Sequence, residues 1–481
     1  MARVGAFVVG ESHGSILTRG WSRAIVAVVT ASRKIWRNWS RTATARPVHR
    51  LAPRDEGDVA TAVRAARDRG LSVRAVGGGH SFTAVAATDG VMLSLDHLDS
   101  VDRVEPLPDG GALVTVGAGI RLHALNTELA VRGYAMENLG DIDQQSIAGA
   151  VSTGTHGTGA RFGGLATQVA GVRLVGADGE VREADARRRP ELFEAARLSL
   201  GAVGVLTAVT LRVVPAFALL AREEPLGLDA ALDALDGPEG WFEQEDHVDL
   251  YWFPHTRRVM AKRNTRVPLD ADGPRLSAAR RWLDDELLSN TVFEGVNRVA
   301  TAAPRLVPAL NAAAARGLAP RTYVAPSAEV YVTSRRVVFR EMEYAVPRES
   351  VREVVTELDS WLRRSREPVP FPVEVRCAAA DDVWLSTAHG RPSAYVAVHQ
   401  YHRMRHAQYF SAAEAIFRAA GGRPHWGKLH SLESEQLAEL YPRFEDFVAA
   451  RDAADPDGLF TNPYTHRVLG TAAAHERLDL E

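Results

Sequence analysis

Cysteine is nearly missing: Cys377 stands alone among 481 residues. A lone thiol excludes a disulfide framework and a cysteine-based metal cluster, and a reducing cytosol fits it best. Lysine is almost as scarce, with Lys34, Lys262 and Lys428 set against 54 arginines. A P-loop needs a lysine at the end of a glycine run. Lys428 is the nearest case and its context is wrong, which argues against nucleoside triphosphate use. A composition that favours arginine so strongly makes each retained lysine a candidate for a role. Charge of one sign is also lacking. A formal net charge of −3 argues against a dedicated nucleic-acid binder. Long apolar runs are missing too. The run from Ala24 to Val29 falls far short of the roughly 20 residues that cross a bilayer. Residues 1–35 are basic, with Glu11 the sole acid before Asp55. They read as a disordered extension, and a peripheral membrane-contact helix is the other reading.

Other familiar site patterns are missing as well. Gly77-Gly78-Gly79-His80 lacks the G-x-G-x-x-G spacing, and Gly117-x-Gly119 has Leu122 in place of the third glycine. A nicotinamide-binding Rossmann unit is therefore disfavoured. No G-x-S-x-G elbow supports serine hydrolysis. The sixteen histidines offer His399-x-x-His402 and the His425/His430 pair, neither of which has the i, i+4 spacing of a helical zinc site. No metal is expected.

Glycine, by contrast, is placed with purpose. An apolar strand at 73–76 runs into Gly77-Gly78-Gly79, then His80 and Ser81. Three residues without Cβ let the backbone turn through φ > 0 and press its N–H groups against a phosphate without cationic side chains. A second small-residue stretch follows, from Asn138 to Gly149 and on through Ser152 to Gly159, and it reads as ligand-lining surface. Strands at 169–175 and 180–184 flank Ala177-Asp178-Gly179, a hairpin signal. The character changes at Pro215. Beyond it, amphipathic helices are expected at 228–235, 351–364 and 409–419, and strands at 329–333, 337–344, 372–376 and 395–399. On the third of these strands Glu374 and Arg376 are two residues apart, so their side chains share one face. Alone, such a pair is most often a solvated one.

Four motifs in this order carry a resemblance: Gly77-Gly78-Gly79-His80-Ser81, Thr155-His156-Gly157-Thr158-Gly159, Glu374-Val375-Arg376 and His425-Trp426-Gly427-Lys428. From about Trp36 to Gly470 the chain resembles the sugar-lactone oxidase branch of the vanillyl-alcohol oxidase / p-cresol methylhydroxylase superfamily. That branch includes L-gulono-1,4-lactone oxidases and dehydrogenases, D-arabinono-1,4-lactone oxidases and alditol oxidases. The resemblance implies an α+β fold, with a two-subdomain FAD-binding domain over 36–215 and an α+β substrate cap over 216–470. The C-terminal segment of the cap would return to the flavin, and 471–481 would be a tail.

It also implies roles. Val76, Gly77, Gly78, Gly79 and Ser81 would hold the FAD pyrophosphate, with His80 bonded covalently to the flavin. Asn138, Gly140, Asp141, Gln145, Ser146 and Gly149 would run along the isoalloxazine and ribityl chain with Ser152, Thr153, Gly154, Thr155 and His156. His156 would brace its loop rather than do chemistry. Gly204 and Val205 would meet the adenine. Glu374 would orient or deprotonate a substrate hydroxyl. Arg376 and Lys428 would stabilise the negative charge that hydride transfer brings to the flavin. Asp141, His399 and Tyr401 would line the sugar pocket. The implied reaction oxidises the C2 hydroxyl of an aldonolactone to a product that tautomerises to an ascorbate-like enediol. Oxygen or an electron carrier such as a cytochrome would be the acceptor, and a glycine at 140 would leave room for oxygen. An alditol oxidase and a non-catalytic flavin-binding protein on the same fold are the other readings.

Overall fold

The computed structural model describes residues 35–235, 237, 239–282, 287 and 290–471. The expectations for the basic extension and for the tail beyond 471 lie outside the described residues. Among the described residues no helix is long and apolar enough to cross a membrane.

Three parallel strands open the fold, in the order His49–Leu51, Val91–Ser94, Val73–Val76. The helix Glu56–Arg67 makes the first crossover. Its N-cap Asp55 accepts the Asp58 N–H, and its Val59, Ala62, Val63 and Ala66 face is buried. The next sheet runs Val181–Asp185, Val169–Val175, Val205–Pro215, Ala112–Gly117, Val101–Pro106, all antiparallel. Its first two strands form the expected hairpin, with Gly179 at φ 79°.

Pro215 ends the last strand of that sheet, and Phe217–Gly227 belongs to an eight-stranded one. Across that sheet the order is Arg321–Pro326, Phe217–Gly227, Arg258–Pro268, His247–Phe253, Val373–Ala378, Ser393–Tyr401, Phe339–Pro347, Arg423–Pro424. Period 2 divides its central strands cleanly. Met342, Tyr344, Val346, Val373, Val375, Val396 and Val398 join one apolar core with the helices Val351–Ser365 and Ala407–Ala419. Glu341, Glu343, Glu374, Arg376, Tyr395 and His399 occupy the opposite face. These polar side chains are nonetheless buried, so that face is covered by protein rather than water.

One expected strand is a helix. Residues 329–333 alternate like a strand, yet Ser327–Tyr331 forms a helical turn. Arg321–Pro326 already pairs with Phe217–Gly227, and Pro326 lacks the N–H to continue a ladder. The turn presents the Val330 carbonyl to the buried Lys262 ammonium at 2.5 Å, which gives one of the rare lysines a structural role.

The C-terminal segment returns to the first sheet. Val73 N–H donates to Leu459 O at 2.8 Å, and Asn462 Nδ2 lies within 3.1 Å of the carbonyls of Ala84, Val85 and Ala87. Arg74 fastens this junction. Its buried guanidinium donates to the carbonyls of Val85, Leu200, Gly201 and Phe460, joining its own strand to three other segments. Truncation to methionine would strand several buried carbonyls at about 1–3 kcal/mol each. We expect Arg74→Met to lower the melting temperature sharply and to cost at least about 3 kcal/mol, read by thermal and urea unfolding. A melting curve that matches the wild type would contradict this role.

Candidate active site

Two cavities meet between the sheets. The first lies over the 77–81 loop. That loop leaves the Val73–Val76 strand and passes so close to the 144–146 segment that side chains do not fit. A Cβ on Gly77 would stand 2.1 Å from Ser146 Oγ, and one on Gly78 would stand 2.5 Å from Gln144 O. Val76 to Ser81, Gln145, Ser146, Gly149, Ser152, Thr153, Gly204 and Val205 all line this cavity. Arg74 is the one basic side chain other than His80 among its lining residues, and it is committed to the four carbonyls. An anionic group here would meet backbone N–H groups, as a Gly-rich cradle requires. Two expected cofactor residues lie outside both cavities. Asn138 caps Leu139 N–H and donates to Gly163 O, and Gly154, at φ 75°, packs on Leu198. Both brace the loop that carries their neighbours.

His80 stands where the two cavities join. Its ring stacks on Trp39 with centroids 5.5 Å apart, and its buried Nδ1 has no hydrogen-bond partner. Burial, with help from Arg121 and Lys428, lowers its pKa to about 4, so the ring is neutral at neutral pH. A Cβ-free cradle, backbone donors in place of cations and an orphaned neutral imidazole nitrogen all suit a flavin dinucleotide tethered at this residue.

The second cavity shares His80, Ser81, Gln145 and Thr153 with the first. Its floor is the polar face of the large sheet, where the register sets Tyr251, Glu374, Ala397 and Glu343 in one row. Arg376 donates through Nε to Asp249 Oδ1 at 2.9 Å and through Nη2 to Glu374 Oε1. The same Nη2 lies 3.4 Å from Asp141 Oδ2, which also accepts from Arg335. Arg335 Nη2 is 3.9 Å from Glu374 Oε2. Lys428 Nζ donates to Glu341 Oε2 at 2.5 Å and sits 5.0 Å from the Phe82 ring centroid. The structure thus brings Glu374, Arg376, Lys428 and Asp141 to one cavity. Lys428 answers a buried carboxylate and not a surface one.

Burial sets the electrostatics. It raises the pKa of Glu374, with the guanidiniums of Arg376 and Arg335 opposing and the carboxylates of Asp141 and Asp249 adding. Burial pushes the same way on Asp141, but Arg335, Arg376 and Lys428 overcome it and hold Asp141 well below the usual carboxylate range. Glu341 is lowered as well, because Lys428 outweighs its burial. Two nearby carboxyl groups are therefore driven in opposite directions, the pattern that separates a proton acceptor from a fixed charge.

His399 and Tyr401 do not line the cavity. His399 shares the polar face, but its Nδ1–H donates to Pro372 O and its Nε2 sits behind Glu341 at 3.5 Å. The Tyr401 hydroxyl donates to Glu294 Oε1 at 2.7 Å, on the helix Phe293–Ala302. The structure adds residues that the sequence reading missed: Arg335, Glu341, Glu343 and Asp249. It also brings together His156, Glu343 and His425, whose ligand-type atoms lie within 4.8 Å of one another. Spacing along the chain did not reveal this group, since its members come from three segments. Its hydrogen bonds already assign two nitrogens. His425 Nδ1 accepts the Gly427 N–H, so its Nε2 carries the proton, while His156 Nδ1–H donates to Gly157 O. Gly140 too has a packing reason. A Cβ there would press on Thr155 Cγ2 at 3.0 Å and on His156 O at 3.2 Å.

Residues 47–185 match the FAD binding domain profile, and residues 209–468 match the D-arabinono-1,4-lactone oxidase profile. The L-gulono-1,4-lactone dehydrogenase of Mycobacterium tuberculosis is 40% identical over 91% of this chain and 99% of that protein. The chain belongs to the D-arabinono-1,4-lactone oxidase family. The mouse L-gulonolactone oxidase is 33% identical over 90% of this chain and 98% of its own. The crystal structure of cholesterol oxidase from B. sterolicum superposes with a TM-score of 0.76 at 18% identity, over 92% of this chain and 97% of that one. The last likeness concerns the fold alone, which is that of the p-cresol methylhydroxylase type. The family member described here is a flavoprotein that uses FAD.

Proposed function

We propose that this chain oxidises the C2 hydroxyl of an aldono-1,4-lactone in the second cavity, with FAD seated in the first. The observation that carries the reading is the Glu374–Arg376–Lys428 constellation, on a buried sheet face that opens onto the glycine-lined cavity through His80. FAD, when bound, supplies the acceptor for the hydride that leaves C2. Glu374 uses Oε1 to accept from Arg376, which leaves Oε2 toward the cavity to take the hydroxyl proton. Its raised pKa makes it a stronger base than an exposed carboxylate. Arg376 is held from behind by Asp249, so its charge is fixed in place before substrate arrives. Lys428, held by Glu341, is a second cation of fixed position.

Steady-state rates on a panel of lactones and alditols, each with oxygen and with cytochrome c as acceptor, test the substrate class and the acceptor together. Turnover of alditols with none of any lactone would overturn the lactone reading. We place the protein in the cytoplasm, in keeping with Cys377 as a buried free thiol.

His80 is proposed as the covalent attachment point. In the wild type, acid precipitation should leave the yellow chromophore in the pellet, and in His80→Ala it should pass to the supernatant. A wild type that releases all its flavin on precipitation would refute the tether.

A further inference from the structure

Arg335 is unlike the other basic residues of the second cavity. Arg376 is carried on the central strand Val373–Ala378 and Lys428 on the turn that follows Arg423–Pro424, whereas Arg335 comes from the irregular segment between the helix Ser327–Tyr331 and the strand Phe339–Pro347. That segment is pinned over the cavity on two sides. Thr333 N–H donates to Asp141 O at 3.0 Å. Asn290 takes Arg336 N–H at 2.7 Å through Oδ1 and gives Nδ2–H to Ser334 O at 2.9 Å. Arg335 engages Asp141 through Nη2 alone, and among the described residues its Nε and Nη1 donate to no protein acceptor. A cavity-lining guanidinium therefore keeps directed N–H groups for a ligand.

Its position relative to Glu374 says which ligand atom it suits. Nη2, whose second N–H Asp141 does not take, lies 3.9 Å from Glu374 Oε2, so a donor and an acceptor stand side by side. In an α-hydroxy carbonyl compound the hydroxyl and carbonyl oxygens are also neighbours, on carbons joined by one bond. A hydroxyl that gives its proton to Glu374 would set the adjacent carbonyl oxygen against Arg335. We propose that Arg335 is a specificity residue that takes the carbonyl oxygen of the lactone and so selects the closed lactone over rings or chains that lack it. The proposal rests on the lactone reading above.

The test is calorimetric binding to anaerobic holoenzyme, with two ligands that cannot be oxidised at C2. One is an aldono-1,4-lactone lacking the C2 hydroxyl; the other is the same ring with CH₂ in place of the carbonyl, a 1,4-anhydro-2-deoxyalditol. A hydrogen bond from a charged donor is worth about tenfold or more in affinity, so wild type should prefer the lactone by at least that factor. Arg335→Met should reduce the preference to less than about threefold, and Arg335→Lys, which keeps a cationic donor, should fall between them. The flavin spectrum of each variant reports that the site is still assembled. An unchanged preference in Arg335→Met, or none in the wild type, would overturn the proposal. Failure of oxidisable lactones to bleach the wild-type flavin would instead overturn the lactone reading, and the binding arm reads Arg335 independently of it.

Discussion

Glu374→Gln should lower kcat for lactone oxidation by about 10²–10⁴-fold, the usual contribution of a positioned general base. The substitution nearly preserves shape, and the amide oxygen can still accept from Arg376, so FAD content and the melting curve should change little. The pH profile separates loss of a base from loss of structure. Burial raises the Glu374 pKa, so its neutral, inactive form persists to higher pH than in an exposed carboxyl. Wild-type kcat/KM should therefore rise with pH through that raised pKa and then level off. In the variant this acid limb should vanish. A variant with wild-type kcat, or one that keeps the limb, would remove Glu374 from the proposed role.

Arg376→Met should have the second large effect, and on stability as well as rate. Arg376 holds Asp249 through Nε and Glu374 through Nη2, with Asp141 within 3.4 Å. Removing it leaves these buried carboxylates with too little opposing charge, and breaking a buried pair in this way costs about 3–5 kcal/mol. Loss of a preorganised cation should lower kcat by a further 10²–10³-fold or so, as when one oxyanion donor is removed. Arg376→Lys should restore part of the stability but little of the rate, because an ammonium lacks the planar fork that reaches Asp249 and Glu374 together. Melting temperature, flavin content and single-turnover rates would check this. An Arg376→Met enzyme that turns over within threefold of wild type would contradict it.

Much of the cofactor region was legible in the sequence because glycine chemistry is local. Gly77 and Gly78 read as a cradle from their missing Cβ atoms, and the structure shows the atoms that those Cβ would strike. The change of sheet at Pro215 was legible from composition. Glu374 and Arg376 were paired by period 2 alone. Glu341 and Glu343 carried the same signal on the strand Phe339–Pro347, but two like charges in an apolar strand have no partner within the sequence; His156 and Lys428 supply the partners only in three dimensions. Arg335 was hidden among 54 arginines, in a segment with no periodicity. His399 and Tyr401 failed for another reason. Period 2 gives the face of a strand but not the distance along it, and Glu341 stands between His399 and the cavity.

The most direct measurement mixes purified holoenzyme with an aldono-1,4-lactone in the absence of oxygen and follows the flavin absorbance. The account predicts that the yellow colour bleaches with saturable lactone dependence, and that Glu374→Gln slows the bleaching by orders of magnitude without loss of flavin. A yellow protein that no lactone bleaches, or bleaching as fast in Glu374→Gln as in wild type, would contradict it.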